Sequence, residues 1–174
     1  MQNYTWDFTF NNLFERCLSS YRADDKDHNH WYDESDHDFL KSTGYQPLEF
    51  FDYVEDCAVH NDPAPTTALM IASVRRDYLD VVQHGKTSEP HVRSGDLPAK
   101  DAELEGLVWL PRILAKARAK LRGELHPESM FGCGGDRHFL RTHDIAPADF
   151  LRLVWAAGDD DSKVLSYIHS HPTT

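Results

Sequence analysis

No run of apolar residues approaches the ~20 that a membrane-crossing helix needs, so no membrane partner is expected. Cysteine is scarce: only Cys17, Cys57 and Cys133 are present, and an odd, small number of thiols excludes a disulfide framework. Such usage points to a reduced, cytoplasmic chain. The first residues lack the basic and apolar regions of a signal peptide, which supports the same expectation. Positive charge is also short. Eighteen Lys and Arg stand against twenty-nine Asp and Glu, a formal net charge of -11, which argues against a nucleic-acid partner. No stretch keeps the period-two alternation of a half-buried strand. No serine elbow, P-loop, dinucleotide fingerprint or zinc spacing is found, so no familiar reaction can be assigned from a motif.

What is present is amphipathic helix. Forty per cent of the 174 residues are apolar, enough to bury a core. Leu13, Phe14, Cys17 and Tyr21 recur at helical spacing over about 9–22, with Thr9 or Asn11 as the expected cap. Short helices follow from about Asp36 to Thr43, stopped by Gly44, and from Pro47, with Phe50, Phe51 and Val54 facing inward. The longest helix is expected over 66–84, with Leu69, Met70, Ala72, Val74, Tyr78 and Val81 as its apolar stripe and Gly85 at its end. Residues 86–100 read as a linker. Asp101 is expected to cap a short helical turn through Leu104, Leu107 and Val108. Pro111 then opens a helix closed by Gly123, and further helices start near Asp136, Pro147 and Asp160. The expected fold is all-α, with a first helical unit at 1–85 and a second at 101–174 sharing a core.

The two halves are related at an offset of one hundred residues. Residues 35–54 laid over 135–154 give six identities in twenty: Asp36/Asp136, Phe39/Phe139, Leu40/Leu140, Pro47/Pro147, Phe50/Phe150 and Val54/Val154. Average usage would give roughly one. Leu13, Phe14, Cys17 and Tyr21 fall on Ile113, Leu114, Ala117 and Leu121 at the same offset. The shared positions are those a core and a helix start need, so the expectation is an internal repeat of fold. The polar loops do not repeat: Cys133 is matched by Asp33.

Leu110-Pro111-Arg112, Lys116-Ala117-Arg118-Ala119, Gly123 and Cys133-x-x-Asp136-x-x-Phe139-Leu140, with the lead-in Pro90-His91-Val92-Arg93-Ser94, carry a family signature. Over about residues 88–168 the chain resembles an uncharacterised bacterial domain-of-unknown-function family, and residues 8–84 resemble a related region more loosely. The resemblance implies a soluble, helical, bacterial protein and no particular activity. Gly134-Gly135 stand where that family often has a proline and a bulkier residue, so the loop here is expected to differ.

Four features carry candidate chemistry. Cys133, with Asp136 and His138 or His126, has the residue types of a thiol nucleophile with a base, beside glycines that let backbone amides approach an anion. The plainer reading makes Asp136 an N-cap and Cys133 a small core residue. The cations Arg112, Lys116, Arg118, Lys120 and Arg122 lie along one helix. They form a solvated face by default, an internal ion-pair set next, or a site for a carboxylate or phosphate, for which the Arg112 and Arg118 forks suit best. His28, His30, His37 and Glu34 lie in the acidic stretch 24–38 and are donors suited to a divalent metal, though at no recognised spacing. Arg76 lies with Arg75 and Asp77 on the longest helix, where an ion pair or a pocket-lining role is expected. No resident cofactor is expected beyond that open metal reading. Together these favour a binding module for a small anionic ligand or a protein partner, at a cleft between the halves. The alternatives are a cysteine-dependent enzyme at Cys133 and a metal-dependent enzyme at 24–38.

Overall fold

Proline stands in the first turn of four helices, where its missing N–H would have no intrahelical partner anyway. A computed structural model describes residues 3–170. The chain is mostly helical, as expected, and divides between Thr87 and Ser88 into two compact units. The first holds α1 (Trp6–Arg22), α2 (Glu34–Thr43), α3 (Pro47–His60) and α4 (Pro65–Val81). The second holds β1 (Glu103–Leu104), β2 (Leu107–Val108), α5 (Leu110–Arg122), α6 (Gly134–Thr142), α7 (Pro147–Ala157) and α8 (Asp161–Ser170). Among the described residues no helix is long and apolar enough to cross a membrane.

In the first unit α1 packs on α3 and α4, and α2 packs on α4. Phe10, Phe14 and Phe50 meet edge-on and stacked, with Phe10–Phe50 centroids 5.4 Å apart and Phe14–Phe50 5.7 Å. In the second unit α5 packs on α7, and α7 on α6 and α8. Leu110, Ile113, Leu114 and Ala117 are buried there with Phe150, Leu151, Val154 and Val164. Helices α2 and α6 start one hundred positions apart, at Glu34 and Gly134, and so do α3 and α7, at Pro47 and Pro147. Phe39 and Phe139, and Leu40 and Leu140, are buried within their own units.

Three local expectations need correction. The turn expected through Leu104, Leu107 and Val108 is an antiparallel hairpin pairing Glu103 with Val108 and Leu104 with Leu107. Glu105 and Gly106 both have positive φ, 49° and 80°, which suits a two-residue hairpin loop and stops a helix. Helix α1 starts at Trp6, with Thr5 as N-cap in place of Thr9 or Asn11, because Leu13 and Phe14 are preceded on the same face by buried Phe10. Of the stripe expected on α4, Ala72 and Val74 are buried but Met70 and Val81 are exposed; the buried series is Ala68, Ile71, Ala72, Val74, Arg75 and Leu79. A cation also occupies a core position on this helix. Arg75 donates from Nη1 to Gln83 Oε1 at 2.8 Å, and a Cβ at Gly44 would come within 2.7 Å of its Nε. Burial lowers the pKa of Arg75, against the raising effect of Glu49.

Helix α3 crowds carboxylates. The Asp52 carboxyl is pushed up to about 7, first by burial and then by Glu49, Glu55 and Asp56. The folded chain therefore holds this proton more tightly than the unfolded chain does. The stability it contributes is complete below about pH 4 and is lost as pH rises through about 7. Asp52→Asn mimics the protonated form. Thermal unfolding should show its melting temperature matching the parent near pH 4 and exceeding it at pH 8; an equal difference at both would contradict the assignment.

Candidate functional site

The first turn of α6 is built from Cys133-Gly134-Gly135-Asp136, and it brings together residues that were singled out for separate reasons. Cys133, not Asp136, is the N-cap, and its side chain makes no cap bond. Asp136 lies three residues on, in the first turn, and points back toward the preceding loop, where it accepts the Gly132 amide at 2.9 Å. It thus reaches one residue past the N-cap amide that the acid of a capping box would accept. The expectation that Asp136 caps the helix is corrected accordingly.

Asp136 is fully buried and has four partners' worth of acceptor capacity to fill. Lys116 Nζ from α5 donates to its Oδ2 at 2.5 Å, and the Trp109 indole N–H donates to Oδ1 at 2.9 Å. Lys116 is itself 96 % removed from solvent along its side chain, which is 4 % exposed. It also donates to Cys133 Sγ at 3.2 Å. Arg137 ties the loop from the other side, donating from Nη1 to the Gly132 carbonyl at 2.6 Å. A half-buried thiol, a buried ammonium and a buried carboxylate thus form one cluster at a helix N-terminus.

Trp109 is the member that sequence reasoning missed. It is the N-cap of α5 and holds φ at 78°, a left-handed conformation that costs a non-glycine residue roughly 1–2 kcal/mol. Its indole lies where a Cβ on Gly135 would be, with Cζ2 only 2.4 Å from that position. The available signal was the second glycine of Gly134-Gly135, a position open to close approach.

The other candidates have local employment. Arg112 is buried and donates to the Pro98 carbonyl at 2.7 Å and to Ser94 Oγ at 3.0 Å, with its guanidinium 5.8 Å from the Trp109 ring centroid. Arg118 donates to the Gly158 carbonyl at 3.0 Å and to Asp161 at 2.6 Å, joining α5 to the start of α8. Arg122 pairs with Glu124 at 2.7 Å. Arg112, Lys116 and Lys120 are buried, so the solvated-face expectation fails: α5 is packed on most of its circumference. Arg76 lies over the Trp6 ring at 5.1 Å and near Asp80 at 3.9 Å. His138 is exposed on α6, and His126 lies 3.3 Å from Glu128; no bond joins either to the cysteine among the contacts described.

In the acidic stretch His28 packs on Phe51 at 4.8 Å, His37 on Tyr32 at 5.8 Å, and His30 pairs with Asp25 at 3.1 Å. Glu34 opens α2, exposed. Among the described residues no three His, Cys, Asp or Glu side chains are grouped to hold a metal ion. The remaining thiols are buried, Cys17 pushed up to about 12 and Cys57 also raised, both chiefly by burial.

The site-bearing unit is thus a small helical domain organised by an ammonium–carboxylate–thiol cluster. Residues 96–174 match the model of a family described as Domain of unknown function (DUF5069), and Trp109, Lys116, Cys133 and Asp136 all lie within the match. The resemblance to an uncharacterised family is borne out over that span. No curated protein matches the chain, and no solved structure does.

The contact between Gly135 and Trp109 is testable. Gly135→Ala should displace the indole and break its bond to Asp136, costing on the order of 2–3 kcal/mol in denaturant unfolding. Gly134→Ala, where nothing lies within 4 Å, should be neutral or slightly stabilising. Equal effects at the two positions would contradict this packing.

Proposed function

We propose that the chain binds a small anionic ligand, a carboxylate or phosphate, at the N-terminus of α6, with Cys133 as the reactive group beside it. The observation that carries this reading is the exchange of the capping residue. Asp33 caps α2 in the first unit with its carboxylate on the Asp36 amide at 2.9 Å, whereas Cys133 leaves α6 without a side-chain cap. The first N–H groups of a helix have no intrahelical acceptor, and together with the helix dipole they attract an anion. Gly134 is exposed, with nothing within 4 Å of where its Cβ would be, so a ligand can approach the backbone.

A cysteine-dependent reaction is the second reading, favoured by the Lys116 bond to a half-buried sulfur. A cation and a helix N-terminus are the neighbours that make a thiol nucleophilic. The arginines Arg112 and Arg118 recede as ligand contacts in both readings, because their guanidinium groups already bind carbonyls and a carboxylate.

Alkylation kinetics test the proposal. Cys17 and Cys57 are buried and serve as internal controls in the native chain. Iodoacetate is an anion and iodoacetamide is its neutral counterpart. The ratio of their rates at Cys133 should exceed the ratio for mercaptoethanol several-fold, despite the net charge of -11. Added inorganic phosphate should slow the iodoacetate reaction. A ratio at or below that of mercaptoethanol would overturn the proposal.

A further inference from the structure

The short distance between Lys116 Nζ and Cys133 Sγ, 3.2 Å, has a consequence beyond ligand binding. We propose that Cys133 and Lys116 form a reversible covalent cross-link when the thiol is oxidised by a hydroperoxide. It rests on the reading above only in taking Cys133 to be reachable from solvent.

The chemistry balances with one equivalent of peroxide. The sulfur attacks one peroxide oxygen, the O–O bond breaks, and the departing hydroxide leaves as water with the thiol proton. Sulfur is oxidised by two electrons to a sulfenic acid, and the peroxide is reduced. A sulfenic acid condenses with a thiol or a nearby nitrogen when one is held against it. Here the nitrogen is already in place. The Lys116 ammonium yields one proton to Asp136 Oδ2, to which it is bonded at 2.5 Å. The nitrogen lone pair then attacks sulfur, the S–O bond breaks, and the leaving hydroxide takes the second nitrogen proton as water. The product is an S–N bond, and a dithiol reductant restores thiol and amine.

Three features of the cluster favour this course over deeper oxidation. The amine is buried, so water does not compete for its position. The carboxylate that receives the proton is fully buried and fixed by the Gly132 amide and the Trp109 indole. No second thiol competes, since Cys17 and Cys57 are buried in the other unit. The cross-link would join the N-terminus of α6 to the middle of α5 and occupy the sulfur proposed to serve the ligand.

Exposure of the full chain to one equivalent of hydrogen peroxide, followed by intact-mass measurement and non-reducing digestion, tests the inference. The expected result is a loss of two hydrogens relative to the reduced chain, a linked peptide pair joining Lys116 to Cys133, and reversal by dithiothreitol. Lys116→Arg keeps the charge and removes the nucleophilic amine. In that variant dimedone should label Cys133, and the linked pair should vanish. Dimedone labelling or sulfinic acid at Cys133 in the parent chain, with no linked peptide, would overturn the inference, as would an unmodified Cys133. Should Lys116→Arg not fold, the parent result decides alone. Failure of the cross-link leaves the alkylation ratio as an independent readout of anion binding.

Discussion

Lys116 and Asp136 form an ion pair inside the second unit, and the local structure is arranged to make that burial tolerable. Moving two charges out of water is costly, and their attraction compensates only when the remaining lone pairs and protons are also satisfied. Asp136 meets this condition through the Gly132 amide and the Trp109 indole, and Lys116 through the Cys133 sulfur. The loop before α6, the left-handed Trp109 at the start of α5 and the small residue at Gly135 all follow from keeping the pair supplied with partners. The first unit holds a pair at the positions one hundred residues earlier, Arg16 with Asp36, but there the arginine side chain is 50 % exposed. That pair stays partly open to solvent, and the capping box of Asp33 and Asp36 is complete without a thiol. Burial thus separates a surface pair from an enclosed cluster.

Much of the helical framework was legible. Prolines at 47, 111 and 147 fix helix starts because they suit the first turn, and Gly44 and Gly123 close helices in left-handed conformation. The hairpin at Glu103–Val108 was not legible from alternation, since two-residue strands carry too little pattern. Its signal was the Glu105-Gly106 pair. The stripe of α4 was misplaced at Met70 and Val81, which are exposed, while Ile71, Arg75 and Leu79 are the residues held in the core. The default reading placed Lys116 on a solvated face, and it is buried. Long cationic side chains bury their stems and need only a partner for the head, and that partner lies elsewhere in sequence.

The candidate site was legible in its parts. Cys133 and Asp136 stood out beside their glycines, and Lys116 stood out as one of five cations on a helix. Nothing in the spacing joined Lys116 to Asp136, twenty residues apart, or Trp109 to either, since those contacts depend on how α5 and α6 pack. Asp136 was read as a cap because aspartate is a favoured N-cap residue and α6 was expected to start there, two residues after its actual start at Gly134. The glycines allowed a different use, letting the indole come close and leaving the backbone at Gly134 open.

A double-mutant cycle on the central pair measures the dependence directly. Lys116→Met and Asp136→Asn should each cost about 3–5 kcal/mol in denaturant unfolding, because each leaves a buried group without its partner. The double variant should cost less than the sum by about 1–3 kcal/mol, since neither unpaired charge then remains. Additive losses would contradict the claim that the pair organises the unit.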